Sequence, residues 1–357
     1  MSAAELWARL GAEGLVEGEM PAPDRSTSPW YVRVMLGIAG WIGALFLLVF
    51  AGAAFSFLMS DPASALLAGA ACCGGAFALL RGLDGNDFAE QFGLAVSLAG
   101  QGLMIMGLAD LLDAWMPLLY IAIAAMQAVL ALLVPNFLHR LLATCGAAIA
   151  GALAVNAAAL HGLSAPILCL GLALVWLEPK LWAVRGGIWR PVGYGLVLAL
   201  LLVETFRLFG DGGLFASAQA PRWIAIHGPL IGRVLTAAIL LFVAAVLIAR
   251  EGAGPRSPVA RGAGAIALVL ALVSLAAPGL ASALLILLLG FAVGDRLFAG
   301  LGILSLLGFV SHFYYSLHAT LLEKSAILAA TGLCLLLVRF ALRRGFAVSG
   351  TMESGHA

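Results

Sequence analysis

Apolar runs of about 18 residues or more recur along the whole chain, and short connectors between them hold nearly all of the charge. Inside the runs the apolar positions are continuous, without the apolar/polar alternation of barrel strands. A helix rising about 1.5 Å per residue needs about 20 such residues to cross a hydrocarbon core. Only helices and closed barrels satisfy their backbone amides in lipid. The pattern therefore predicts an all-α, polytopic membrane helical bundle of about twelve transmembrane helices. They fall at 34–59, 63–80, 92–112, 115–134, 141–160, 165–178, 190–207, 228–249, 262–278, 281–294, 297–313 and 325–341. The sixth and tenth are short enough to be tilted, broken or partly interfacial, and counts of eleven or thirteen also fit. Three parts follow: a cytoplasmic leader at 1–33, a transmembrane domain at 34–341 and a cytoplasmic tail at 342–357.

The connectors assign sides. With an inward N-terminus, the inner segments hold Arg9, Arg25, Arg33, Arg81, Arg140, Lys180, Arg185, Arg190, Arg250, Arg256, Arg261, Arg296, Arg339, Arg343 and Arg344. The outer segments hold Arg207, Arg222 and Lys324, and Arg233 falls within a span. Fifteen against three is a strong positive-inside asymmetry, and it puts both termini in the cytoplasm. In the leader, Leu6 and Leu10 lie one turn apart beside Trp7, which predicts a short amphipathic helix that Gly11 and Gly14 weaken and Pro21 ends.

Small residues say how the spans pack. Gly93, Gly100 and Gly107 recur every seven residues and form one stripe, with Gly37, Gly40 and Gly43 similar in the first span. Such stripes admit close backbone approach, which is what drives helix association in lipid. Compact bundling is the first reading and a sliding seam the second. Residues 67–104, 172–201 and 285–310 also echo one another, each with two apolar stretches around a short charged turn. Parallel hairpin repeats would produce that echo.

Composition agrees: 63% hydrophobic, 10% charged and a mean hydropathy of +1.08. The net charge of +1 gives no footing for nucleic acid. Cys72, Cys73, Cys145, Cys169 and Cys334 all fall inside spans without a C-x-x-C spacing, so neither a disulfide framework nor a zinc site is expected. No phosphate-binding loop, metalloprotease motif, nucleophile elbow or dinucleotide fingerprint occurs. No catalytic residue, cofactor or metal is assigned.

Polar groups within spans are costly, about 2.5–3.5 kcal/mol for a central charge, so each needs a partner or a purpose. They are Gln101, Gln127, Asn156, Glu204, Arg233 and, at a boundary, His161. Glu204 and Arg233 lie at similar depth near the outer ends of successive spans, flanking the outward loop 208–226 with Arg207 and Arg222. The structural reading is a buried ion pair between them or two snorkelling side chains, and the functional reading is an outward site for a charged small molecule. A second cluster, SHFYYSLHATLLEKS, ends the eleventh span. His312, Phe313, Tyr314 and Tyr315 suit an interfacial aromatic belt, and His318 and Lys324 follow in the loop. His312 and His318 are six residues apart, on different helix faces, which argues against a shared metal. Lys324 is the one outward lysine, fit to meet an anionic group or a protein partner.

The segment YYSLHATLLEKSAILAATGLCLLL resembles the end of a bacterial multi-pass family catalogued as domain of unknown function 4401. The residues that carry the likeness are Tyr314, Tyr315, Leu321, Leu322, Lys324, Ser325 and Gly332, while Glu323 departs from the pattern. The resemblance covers most of 34–341. It implies a bacterial inner-membrane protein, commonly paired with a small, singly anchored periplasmic protein of the Gly-Asp-Tyr type. It implies no reaction. Two functions follow as expectations: a scaffold or subunit that receives the anchored partner at its outer face, or a secondary transporter or flippase for a small or lipid-like solute. An enzyme ranks behind both, for want of a paired nucleophile and base.

Overall fold

A computed structural model of the chain describes residues 3–14, 61–82, 87–112, 116–209, 221–252 and 257–316, with scattered positions between 16 and 49. Every regular element among them is a helix. They are α1 (Ala3–Ala12), α2 (Pro62–Gly82), α3 (Asp87–Leu111), α4 (Met116–Leu133), α5 (Phe137–Ala157) and α6 (Ser164–Leu177). Then follow α7 (Pro179–Phe209), α8 (Arg222–Arg250), α9 (Pro258–Ala276), α10 (Leu280–Val293) and α11 (Arg296–Ser316). Helices α2 to α11 coincide with the second to eleventh apolar spans. The first span is described only at scattered positions, and the twelfth lies outside the described residues.

Eight of these helices are long and apolar enough to cross a bilayer, which makes the chain a multi-pass membrane protein. Helices α6 and α10 are shorter, at 14 residues each. At 1.5 Å per residue such a helix is about 21 Å long, well short of a core of about 30 Å. The leader helix α1 stops at Ala12, ahead of Pro21, because Gly14 takes a left-handed φ of +68°.

Two compact units divide within α5, Met1–Ala147 and Ala148–Ala357. In the first, α2 and α3 form a close hairpin, and the glycine stripe is its seam. A methyl group at Gly100 would fall 2.7 Å from the Gly69 carbonyl oxygen and 2.9 Å from Cys73 Sγ; one at Gly107 would fall 2.9 Å from the Pro62 carbonyl oxygen. Gly102, off the stripe, has open space around it. The repeat of seven thus places bare backbone where two helices touch, as the compact-bundling reading requires. Gly40 meets α3 in the same way, and Trp41 Nε1 donates to Gln91 Oε1 at 3.1 Å.

In the second unit the two short helices form the core. Cys169 and Leu172 of α6, and Ala283, Leu285, Ile286 and Leu289 of α10, are fully buried. The longer helices turn Phe242, Leu268, Val269, Leu272 and Leu304 outward, an apolar surface suited to lipid. Helix α7 begins at Pro179, eleven residues before the expected start of its span, and is broken at Arg185 (φ −141°, ψ 46°). Proline at a first helical position costs no hydrogen bond, so the charged connector itself coils before the kink. At the other end of this unit, Gly162 in the turn before α6 presses on Gly228 and Gly232 of α8, leaving no room for a side chain at any of the three.

Candidate functional site

Glu204 sits one turn from the C-terminal end of α7, and the spacing to Arg207 (i, i+3) puts both on one face. Their side chains form an ion pair at 3.8 Å, with the carboxylate 6% exposed and the guanidinium 25%. From α10, the fully buried Ser282 hydroxyl donates to Glu204 Oε1 at 2.7 Å. Ser282 in turn lies 3.7 Å from Cys169 Sγ on α6. One carboxylate thus links α7 to both short core helices.

Arg233 on α8 comes to the same place from another side. Its Nη1 donates to the Leu275 carbonyl at 2.9 Å and its Nε to the Pro229 carbonyl at 3.4 Å. The first of these caps the C-terminal end of α9, where helical carbonyls lack partners and a positive charge is favoured. Thr236 and Ser274 are buried with their hydroxyls donating to Gly232 and Ala271 of their own helices.

Between these groups is a cavity of about 160 Å³, lined by Glu204, Arg207, Arg233, Thr236, Ser274 and Ser282, with Gly232, Pro278 and Gly279 completing the wall. It lies where α7 and α9 end and α8 and α10 begin, so one end of the unit gathers it. The shortness of α10 contributes the space: its first turn stops level with Ser282, and the Pro278–Gly279 turn closes the recess.

Of the readings open from the sequence, the direct pair of Glu204 with Arg233 does not form. Both line the cavity, but the carboxylate pairs with Arg207 on its own helix, and Arg233 is held by carbonyls. An i, i+3 neighbour is in reach whatever the helix packing does, whereas a partner on the next helix depends on the crossing.

The other expected site residues that the structure describes are not in the cavity wall. Arg222 opens α8, exposed, beside Trp223, whose ring stacks on His227 at 5.3 Å. Tyr314 and Tyr315 meet edge to face at 5.4 Å, with Tyr315 79% exposed, and His312 lies one turn before. Phe309, on the turn before His312, packs against Gly279, so this cluster shares the cavity's end of the unit. His318, Lys324 and residues 210–220 of the loop between α7 and α8 lie outside the described residues.

Two clusters escaped the sequence reading. In the first unit, Ser97 Oγ is 2.8 Å from His139 Nε2, and Gln101 Nε2 reaches both, at 3.3 and 3.1 Å. An amide NH₂ only donates, so His139 Nε2 is the acceptor. A serine on a histidine has the outline of a nucleophile and base, but Ser97 is 1% exposed and His139 0%. With no space for a substrate, the trio is a buried polar tie between α3 and α5. Its histidine falls between the expected spans 115–134 and 141–160. Yet Asn136, which accepts from the His139 amide at 3.0 Å, is a readable helix-start signal.

The second missed cluster lies at the far end of the second unit. Asp295 caps α11, accepting from the amides of Leu297 (3.0 Å) and Phe298 (3.2 Å). Tyr194 of α7 donates to its Oδ2 at 2.5 Å, and Arg190 is 3.6 Å away. Burial alone pushes the Asp295 carboxyl up. The Tyr194 hydroxyl, the Phe298 and Leu297 amides and the Arg190 charge outweigh it and hold the carboxyl below its ordinary range. Trp176, 4.0 Å from Phe298 between ring centres, packs beneath.

Among the described residues no group of three or more His, Cys, Asp or Glu is placed to hold a metal. No curated protein and no solved structure matches the chain. A family described as Domain of unknown function (DUF4401) matches residues 29–345. With that match running through all the helices from α2 to α11, the chain belongs to the DUF4401 family.

Proposed function

We propose that this protein is a secondary transporter-like carrier that takes a small polar solute into the cavity at Glu204, Arg207 and Arg233. The observation that carries the reading is the cavity itself. Two guanidinium groups and a carboxylate converge on a cavity of about 160 Å³ in an apolar bundle. A purely structural ion pair has no need of such space, because burying charges is offset only by close, complete pairing. The short helix α10 supports the same reading, since its N-terminal turn opens on the cavity. Carriers commonly build their sites from such discontinuous helices.

The same proposal includes the topology: both termini cytoplasmic, the cavity facing outward, and residence in a bacterial inner membrane, with 1–33 and 342–357 as cytoplasmic flanks. The Arg and Lys asymmetry supports the sides, and the family resemblance supports the membrane. A second reading, a scaffold for a singly anchored periplasmic protein, draws on the exposed rings of Trp223 and Tyr315. It ranks lower, because aromatic residues at helix ends also serve as interfacial anchors.

The test is two-sided thiol labelling in a cysteine-free background. Thr236→Cys, in oriented vesicles, should react with a membrane-impermeant maleimide from the outer side, and from the inner side on a slower timescale. Leu240→Cys, one turn deeper and outside the cavity wall, is the control. Reaction from neither side would remove the carrier reading. Reaction from the outer side alone would reduce it to a binding site.

A further inference from the structure

Among the described residues the charges around the cavity do not balance, and the imbalance points to what fills it. The wall carries one carboxylate, Glu204, against two guanidinium groups, Arg207 and Arg233. Glu204 is already satisfied by Arg207 and by the Ser282 hydroxyl. Arg233 is held by two carbonyl oxygens, which carry no net charge, and by no carboxylate among the described residues. A guanidinium among apolar helices needs a counter-charge. The first turn of α10, with Ala281 and Ser282 in the wall, adds the positive end of a helix dipole.

The neutral groups narrow the choice. Thr236 and Ser274 give their hydroxyl protons to their own helices, and Ser282 gives its proton to Glu204. Their oxygens therefore offer the cavity acceptors, and Arg207 and Arg233 offer donors. A ligand that satisfies both brings anionic oxygens and at least one hydrogen-bond donor of its own, and a hydroxyl supplies that donor without adding charge.

Resting on the carrier reading, we infer that the cavity binds a small oxyanion of net charge −1 that also carries an O–H. That chemistry is shared by hydroxy acids and dihydrogen phosphate. Arg233 is its principal charge partner. A cavity of about 160 Å³ admits an ion of this size.

The experiment is a titration of the full chain in lipid nanodiscs with glycolate, inorganic phosphate, acetate, glycine and choline, read as thermal stabilisation and by calorimetry. Glycolate or phosphate should saturate, and the two arms tell the sources apart. Acetate, lacking the O–H, should bind about tenfold more weakly, as should either anion to Arg233→Gln. Arg233→Lys, which keeps the charge, should recover part of the loss. Saturation by glycine or choline alone would overturn the anion assignment while leaving a solute carrier standing. Equal binding of acetate and glycolate would overturn the O–H requirement. Anion binding unchanged in Arg233→Gln would move the site elsewhere. Should Arg233→Gln fail to fold, the wild-type selectivity and Arg233→Lys still decide. Failure of the carrier reading is seen separately, as an unreactive Thr236→Cys.

Discussion

Ser282 on α10 donates its hydroxyl to the Glu204 carboxylate on α7 at 2.7 Å, across 78 residues of sequence. Both groups are buried, and the bond holds a short core helix against a long membrane-spanning one at the cavity wall. The shape of the cavity depends on this contact.

Ser282→Ala should therefore destabilise the protein. A buried carboxylate that loses a hydrogen-bond donor costs about 1–3 kcal/mol. Thr236→Ala, which removes a hydroxyl bonded only within its own helix, should cost much less. Thermal unfolding in detergent compares the two, and equal midpoints would mean that the Ser282–Glu204 bond is not structural.

The α2–α3 seam predicts an asymmetry between neighbouring glycines. Gly100→Ala would drive a methyl into the Gly69 carbonyl and Cys72, at 2.7 and 2.9 Å, and overpacking of this kind costs about 1–3 kcal/mol. Gly102→Ala enters open space and should be neutral or slightly stabilising, since alanine is the better helix former. The melting temperatures of the two variants check this. A sliding seam would instead tolerate both.

Asp295 supplies a pH dependence. Its carboxyl is held below the ordinary range in the folded protein, so its contribution to stability is fully present above the ordinary carboxylate pKa of about 4. It is lost as pH falls through the lower, folded value. Asp295→Asn can still cap α11 but cannot ionise, so its stability should vary less with pH over that acid window. Asp295→Ala also loses the cap, for about 0.5–2 kcal/mol. A wild-type and an Asn variant with the same acid-unfolding slope would dismiss the linkage.

How far the sequence reached depends on the range of the interaction. The helices α2 to α11 were legible because each rests on a local run of apolar residues, and the Gly93–Gly100–Gly107 seam because a repeat of seven marks one helix face. Glu204 and Arg233 were legible as costly residues at similar depth, and they do line one cavity. Their partners were not legible. Ser282 reads as an ordinary small residue, and only the tertiary packing brings it to Glu204. Tyr194 and Asp295 are 101 residues apart, and nothing local to either announces the other. His139 lies ahead of the expected span 141–160, whereas the helix begins at Phe137. In the fold the Arg140 Nε donates to the Ala131 carbonyl at 3.2 Å, so the charge lies against the end of α4 while the histidine turns inward.

The measurement that bears most directly on the cavity is an experimental density map of the full chain in nanodiscs, prepared with glycolate. The account predicts non-protein density within hydrogen-bond reach, about 3 Å, of the Arg233 guanidinium, with Glu204 still on Ser282 and Arg207. A map in which Glu204 meets Arg233 directly and side chains fill the space between them would contradict it.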